Sequence, residues 1–377
     1  MVSRQVLIVL FISLMPAISS ATTWNVFEDG SGDAPTIQAA ADSSAQGDTV
    51  LVAAGTYYEN IYLLEKGITL VSEAGPELTI LDGSSTPGAA VHFEAVENAT
   101  IEGFTIQNGS EDYDHGIVID GHDLSIKNNI LTNNHTISGG GGLSFVGSGT
   151  VEGNYFVSNE AISGGAALIF YTGHDAIPSV RNNVFINNRA ELEGGAIFLN
   201  LDEVVVENNL FINNSAPEGG AIYCKSAYAI RQNTFYGNRT EGGAISFRAA
   251  TQPFVEGNII AGTIDGFAVK CIAVGGYTPE PQIRCNDFWD NDAGIWYEYG
   301  CNPAWWPGNF EADPLFCDPE DGDFHLAGNS PCAPGNHPYE YACGLIGAFE
   351  MGCVPVPVSQ SMSWGSLKSL YGGGKKR

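Results

Sequence analysis

Arg181-Asn-Asn-Val-Phe-Ile-Asn-Asn188 and Glu207-Asn-Asn-Leu-Phe-Ile-Asn-Asn214 are one eight-residue phrase occurring twice, 26 residues apart. Looser copies flank them: Lys127-Asn-Asn-Ile-Leu-Thr-Asn-Asn134, Glu152-Gly-Asn-Tyr-Phe-Val-Ser-Asn159 and Arg231-Gln-Asn-Thr-Phe-Tyr-Gly-Asn238. Taking Asn129, Asn154, Asn183, Asn209, Asn233, Asn258 and Asn286 as equivalent gives spacings of 25, 29, 26, 24, 25 and 28 residues. A second phrase follows four of the copies: Gly164-Gly-Ala, Gly194-Gly-Ala-Ile197, Gly219-Gly-Ala-Ile222 and Gly242-Gly-Ala-Ile245. Each repeat holds two or three short alternating segments between Asn or Gly turns and has no room for a helix of ordinary length. That pattern predicts a coil of parallel strands in which each turn stacks on the last. Asn suits the corners because its side chain can bond the backbone and the Asn of the next turn, and Gly accepts positive φ.

Composition agrees. The 377 residues include 47 Gly and 28 Asn, and 44% hydrophobic content is enough for a sizeable core, which excludes disorder as the main state. With 15 Lys plus Arg against 43 Asp plus Glu, the net charge of −28 sets the chain against phosphate backbones and anionic lipid heads, so no nucleic acid partner is expected. Residues 1–21 read as a signal peptide: Arg4, an apolar stretch from Val6 to Ile18, then Ser19-Ser-Ala21. The mature protein is therefore expected to be secreted or held at the cell surface, monomeric and without a transmembrane segment. All eight Cys lie at or after Cys224 without zinc-like spacing, and in an exported chain the six from Cys285 to Cys353 read as disulfides of unknown pairing. Residues 354–377 form a Pro/Val linker and a basic tail carrying Trp364, Leu367, Leu370 and Tyr371, either a disordered end or a sorting or attachment signal. All 43 acids and ten bases fall in residues 22–358, a net of −33.

In a coil each repeat position becomes a column. Glu102, Lys127, Glu152, Arg181, Glu207, Arg231, Glu256 and Arg284 alternate in sign without exception, a ladder that favours one stacking register. After the Gly-Gly turn, Ile197 and Leu199, Ile222 and Cys224, Ile245 and Phe247, Val269 and Cys271 are expected to face inward. Their alternates, Phe198, Tyr223, Ser246, Lys270 and Trp296, with Asn200, Lys225 and Arg248 beside them, are then outward. Exposed rings next to cations suit a glycan, because rings stack on sugar faces and cations meet uronate carboxylates. A loop or the C-terminal segment covering these aromatics is the competing expectation. Cys224 and Cys271, two rungs apart, are too distant to bridge. A third column, Glu193, Glu218, Glu241 and Asp265, must be neutralised. Arg189 and Arg239 are the favoured partners, and Ca²⁺ is the alternative.

The repeats resemble those of right-handed parallel β-helix proteins of the pectin-lyase-like superfamily. Thr36-Ile-Gln-Ala-Ala-Ala-Asp42, Gly47-Asp-Thr-Val-Leu-Val52 and Gly55-Thr-Tyr57 are similar to the N-terminal entry of that group, where an amphipathic helix caps the coil. Ala312-Asp-Pro-Leu-Phe316, Gly322-Asp-Phe-His-Leu326, Ser330-Pro-Cys332 and Gly347-Ala-Phe-Glu350 resemble the closing segment of many secreted members. The resemblance spans residues 22–353 and implies an all-β right-handed parallel β-helix (solenoid) of about ten rungs, with an N-terminal capping helix and a disulfide-rich C-terminal closing segment.

For activity the resemblance implies a choice. The group includes pectate and pectin lyases, polygalacturonases, pectin methylesterases and catalytically silent surface proteins, and its lyases use Arg or Lys as base beside Ca²⁺-bound carboxylates. Lys225, Arg248 and Lys270 are the candidate catalytic residues, Phe198, Asn200, Tyr223 and Trp296 the candidate substrate contacts, and Glu193, Glu218, Glu241 and Asp265 the candidate Ca²⁺ ligands. The polygalacturonase Arg-Ile-Lys and Gly-His-Gly runs are absent, as are the paired Asp and Arg motifs of the methylesterases. Two readings follow: a lyase cleaving an acidic, uronate-containing polysaccharide by β-elimination, or a non-catalytic carbohydrate-binding or adhesion scaffold. His115 is a further acid/base candidate, weighed against a simple surface position.

Overall fold

The computed structural model of the protein describes residues 21–111, 115–170, 177–200, 204–225, 229–248, 252–297, 301 and 306–352. The linker and basic tail, and residues 1–20 of the expected signal peptide, lie outside them. The repeat phrases are strands paired in parallel from one turn to the next. One sheet holds ten such strands, from Gly55–Tyr57 to Asp287–Trp289, so the right-handed solenoid has about ten turns. A second sheet has nineteen strands, and the four short strands Ser110–Glu111, His135–Thr136, Glu160–Ser163 and Arg189–Glu193 form a third.

The doubled Asn of each phrase divides the work of a corner. The first, at Asn128, Asn182 and Asn208, takes the left-handed conformation (φ 53°, 56° and 55°) that turns the chain. The second is buried and bonds along the rod. Asn209 Nδ2 donates to Asn233 Oδ1 (3.0 Å) and to the Val180 carbonyl (2.9 Å), and its backbone N–H donates to Asn233 Oδ1 (2.9 Å). The column continues from Asn129 to Asn309. The Asn-Asn pair that closes each phrase builds a second ladder through Asn134, Asn159, Asn188, Asn214 and Asn238. Buried amides are thus satisfied by their own copies one turn away. Between the ladders, Phe156, Phe185, Phe211 and Phe235 stack at 4.7–4.8 Å inside the coil.

The charge column has the predicted register: Lys127 pairs with Glu102 and Glu152, and the alternation runs to Arg284. Its ion pairs are discrete, each Arg reaching the acid of the previous turn: Arg181–Glu152 (3.0 Å), Arg231–Glu207 (2.7 Å) and Arg284–Glu256 (2.9 Å). At the N-terminal end the helix Ile37–Ser43 starts on Thr36, whose hydroxyl accepts the Ala39 N–H, and buries Ile37, Ala40 and Ala41 in the main core.

The cysteine expectation holds in part. Cys271–Cys301 and Cys285–Cys343 are disulfides and Cys317 is also bonded, whereas Cys224 and Cys332 are buried free thiols. The free Cys332 thiol donates to Asp287 Oδ2 (3.2 Å). The closing segment runs back over the outer face of the ten-stranded sheet. Phe316, Phe324 and Phe349 pack on Tyr155, Val157, Val184, Ile186, Leu210, Ile212 and Tyr236, and the Ala348 N–H donates to Thr234 Oγ1 (3.0 Å).

Candidate functional site

The Gly-Gly turns set the candidate columns. Ile197–Asn200, Ile222–Cys224, Gly243–Arg248 and Phe267–Ile272 are consecutive strands, with Ile197, Ile222, Ile245 and Val269 in one register and Phe198, Tyr223, Ser246 and Lys270 in the next. The first column is buried in the core as expected. Trp296 corrects the alignment: it pairs with Val269 and packs, half-buried, against the core, while Tyr297 is the partner of Lys270. That turn lacks the Gly-Gly-Ala-Ile phrase, and a one-residue shift moves a side chain to the opposite face.

The aromatics also differ from expectation. Phe198 and Tyr223 lie in the outward column but are only 5% and 1% exposed, stacked on each other at 5.4 Å and grouped with Leu168 and Ile272. They do not present a ring face to a sugar. The apolar side chains of the described closing segment pack instead on the ten-stranded sheet, Ile259 and Ala261 included. Lys225 places its ammonium 4.8 Å from the Phe198 ring centroid, and Asn200 is half-buried at the end of the same strand.

Polar groups converge around this cluster. Arg248 Nη1 donates to the Tyr223 hydroxyl (3.4 Å) and lies 3.7 Å from Glu193 Oε1. Lys270 reaches back two turns to Glu218 Oε1 (2.5 Å), whose other oxygen accepts from Ser246 Oγ (3.4 Å). Gly242 makes the second arrangement possible, since a Cβ there would strike the Glu218 carboxylate. Burial pushes the Tyr223 phenol up to about 12, with Arg248 opposing and Glu193 adding to the rise. The phenol is therefore a donor across the neutral range.

Three of the four acids of the column are neutralised, two of them by bases other than those expected. Glu193 and Glu218 are neighbours as predicted, but they meet Arg248 and Lys270. Arg239 pairs with Asp265 as expected, Arg189 pairs with Glu160, and Glu241 is exposed. Three of these acids are each held by a base, and among the described residues no three His, Cys, Asp or Glu gather to hold a metal. The expected basic window thus reduces to three bases against two acids. His115 is buried, 6% exposed, with Nδ1 2.6 Å from the Gly140 carbonyl, and is not a surface position. Sequence reading placed Ser246 in its column but missed its role as a link. The change of the column from Phe198 and Tyr223 to the polar Ser246 and Lys270 was the available signal.

Parallel turns, Asn corners and a right-handed coil define the class as a β-helix. The description "Right handed beta helix region" matches residues 66–235 and 167–305, and the chain belongs to that family. No curated protein sequence matches. Among solved structures the chain is similar to pectate lyase Pel9A (16% identity, TM-score 0.49, covering 89% of this chain and 98% of that one). It is also similar to the PL6 family alginate lyase AlyGC (15%, TM-score 0.46, 90% and 59%) and to a pectin methylesterase from Aspergillus niger (13%, TM-score 0.38, 78% and 91%). The chain spans 59% of the length of the alginate lyase.

Proposed function

We propose that this is an exported β-helix protein that binds polysaccharide on the outer face bearing Arg248, Glu193, Lys270 and Glu218, above the buried Tyr223. The observation that carries the reading is the partly exposed, mixed-charge network there, in which acceptors from two successive turns, Glu193 and Glu218, meet donors from the next two, Arg248 and Lys270. Such planar polar groups suit sugar hydroxyls, and the Arg248 guanidinium, 42% exposed, suits a uronate carboxylate. Residues 1–21 direct export, and the disulfides accord with an oxidising compartment. No described helix is long and apolar enough to cross a membrane.

Cleavage by β-elimination is the finer reading. It requires Lys225, Arg248 or Lys270 to take the proton α to a uronate carboxylate. Arg248 and Lys270 are engaged by Glu193 and Glu218, so such a step needs one of them released or Lys225 in that role. The mature protein is to be titrated with a panel of uronate polymers, with and without chelator, following retention and the absorbance of unsaturated product. The binding reading predicts retention that Arg248→Ala and Lys270→Ala weaken about tenfold. Product formation lost in Lys225→Ala, Arg248→Ala or Lys270→Ala identifies a lyase base. Neither retention nor product across the panel rejects the face as a uronate site.

A further inference from the structure

A second feature sits on the neighbouring face, where the short strand Arg189–Glu193 continues through bridges from Arg189 to Ser215 and from Ser215 to Arg239. Three turns present there Arg189 and Glu191, then Ser215 and Pro217, then Arg239 and Glu241. The middle turn carries small side chains where its neighbours carry long ones, and the gap is a cleft of about 250 Å³. Two turns are roughly 9.6 Å, so the notch is one turn high between an Arg and a Glu above and an Arg and a Glu below.

We infer that this notch binds one neutral sugar ring of a glycan, at a site separate from the outer face of Arg248 and Lys270. Its volume lies below the ~300–1,000 Å³ of ordinary ligand pockets, enough for a single small ring. Its chemistry is paired: guanidinium donors on one side of the opening and carboxylate acceptors on the other, which hydroxyl groups satisfy in both senses. Charge selects against an acidic sugar. Arg189 and Arg239 are already matched by Glu160 and Asp265, so the exposed Glu191 and Glu241 leave the notch net negative. The buried Ala216 and the Pro217 ring supply an apolar floor. The inference stands on residues other than those of the proposed binding face.

The test titrates the full mature chain with neutral gluco-, manno- and galacto-oligosaccharides, and with galacturonate and glucosamine oligomers as charged arms, following amide hydrogen exchange across 189–191, 215–217 and 239–241. The expected result is saturable protection of these segments by a neutral oligosaccharide. Affinity should fall about tenfold in Ser215→Tyr, which fills the gap, and in Glu191→Gln/Glu241→Gln, which keeps its shape. Preference for the galacturonate arm, no protection by any neutral sugar, or unchanged affinity in the second variant overturns the inference, whereas tighter binding of the glucosamine arm beside neutral-sugar protection follows from the same net negative charge and supports it. Should Ser215→Tyr fail to fold, the Gln variant decides alone. Failure here leaves retention on uronate polymers at Arg248 untouched, so the two sites fail independently.

Discussion

Two outward faces of the same turns have opposite fates. On the ten-stranded sheet, Val157, Ile186, Leu210 and Ile212 are apolar and buried by the returning closing segment. On the Gly-Gly strands the outward column changes from Leu168, Phe198 and Tyr223 to Ser246 and Lys270, and its rim is ion-paired instead of roofed by that segment. Leu168, Phe198, Tyr223 and Ser246 are buried as well, so exposure on this face is confined to the charged rim of Arg248, Glu193, Lys270 and Glu218. Position in the coil does not separate the faces; composition down each column does.

The comparison can be broken most forcefully at the cover. Phe324→Ala removes a ring that is 2% exposed between the segment and the sheet, and is expected to cost about 3–5 kcal/mol in denaturant unfolding. A cost below about 1 kcal/mol would mean the segment does not hold that face.

Asp287 sharpens it next. Its carboxyl occupies the same outward column as Ile259, is fully buried beneath the segment, and accepts the Ala312 N–H (3.1 Å) and the Cys332 thiol. Burial raises its pKa to about 7, with Asp313 and Glu311 adding to the rise. The folded state therefore holds this proton more tightly than the unfolded chain does. The contribution is present in full below pH 3.8 and is lost as the pH rises to about 7. The loss is on the order of 4 kcal/mol as an upper bound. Unfolding measured from pH 4 to 8 should show this decline, and Asp287→Asn should flatten it; an unchanged slope would refute it.

Asn209→Ala lies between the two faces and removes the acceptor that the buried Asn183 side-chain amide and backbone N–H share, an expected loss of about 1–3 kcal/mol read by urea titration. The smallest effect belongs to the charge ladder. Arg231 is 50% exposed, and Arg231→Ala should change stability by no more than about 1 kcal/mol, fading with added salt.

The coil, its Asn corners and the charge register were legible because each rests on a residue type repeated at one position, which sequence displays directly. The second Asn ladder could be read from the same phrases. Trp296 was misplaced because its turn lacks the phrase that sets register. The partners of Glu193 and Glu218 were hidden for a different reason: Lys270 spans two turns to reach Glu218, and a long side chain's direction is not encoded in spacing. Burial of Phe198 and Tyr223 depends on what surrounds a column, which alternation cannot show.

The sign alternation from Glu102 to Arg284 also bears on how such a rod can change length. Its period is two turns although its building block is one. Duplicating or deleting a single turn would set two acids or two bases face to face at the junction, whereas adding or removing a pair keeps every neighbour opposite. The unit of growth compatible with this column is a pair of turns, about fifty residues of chain.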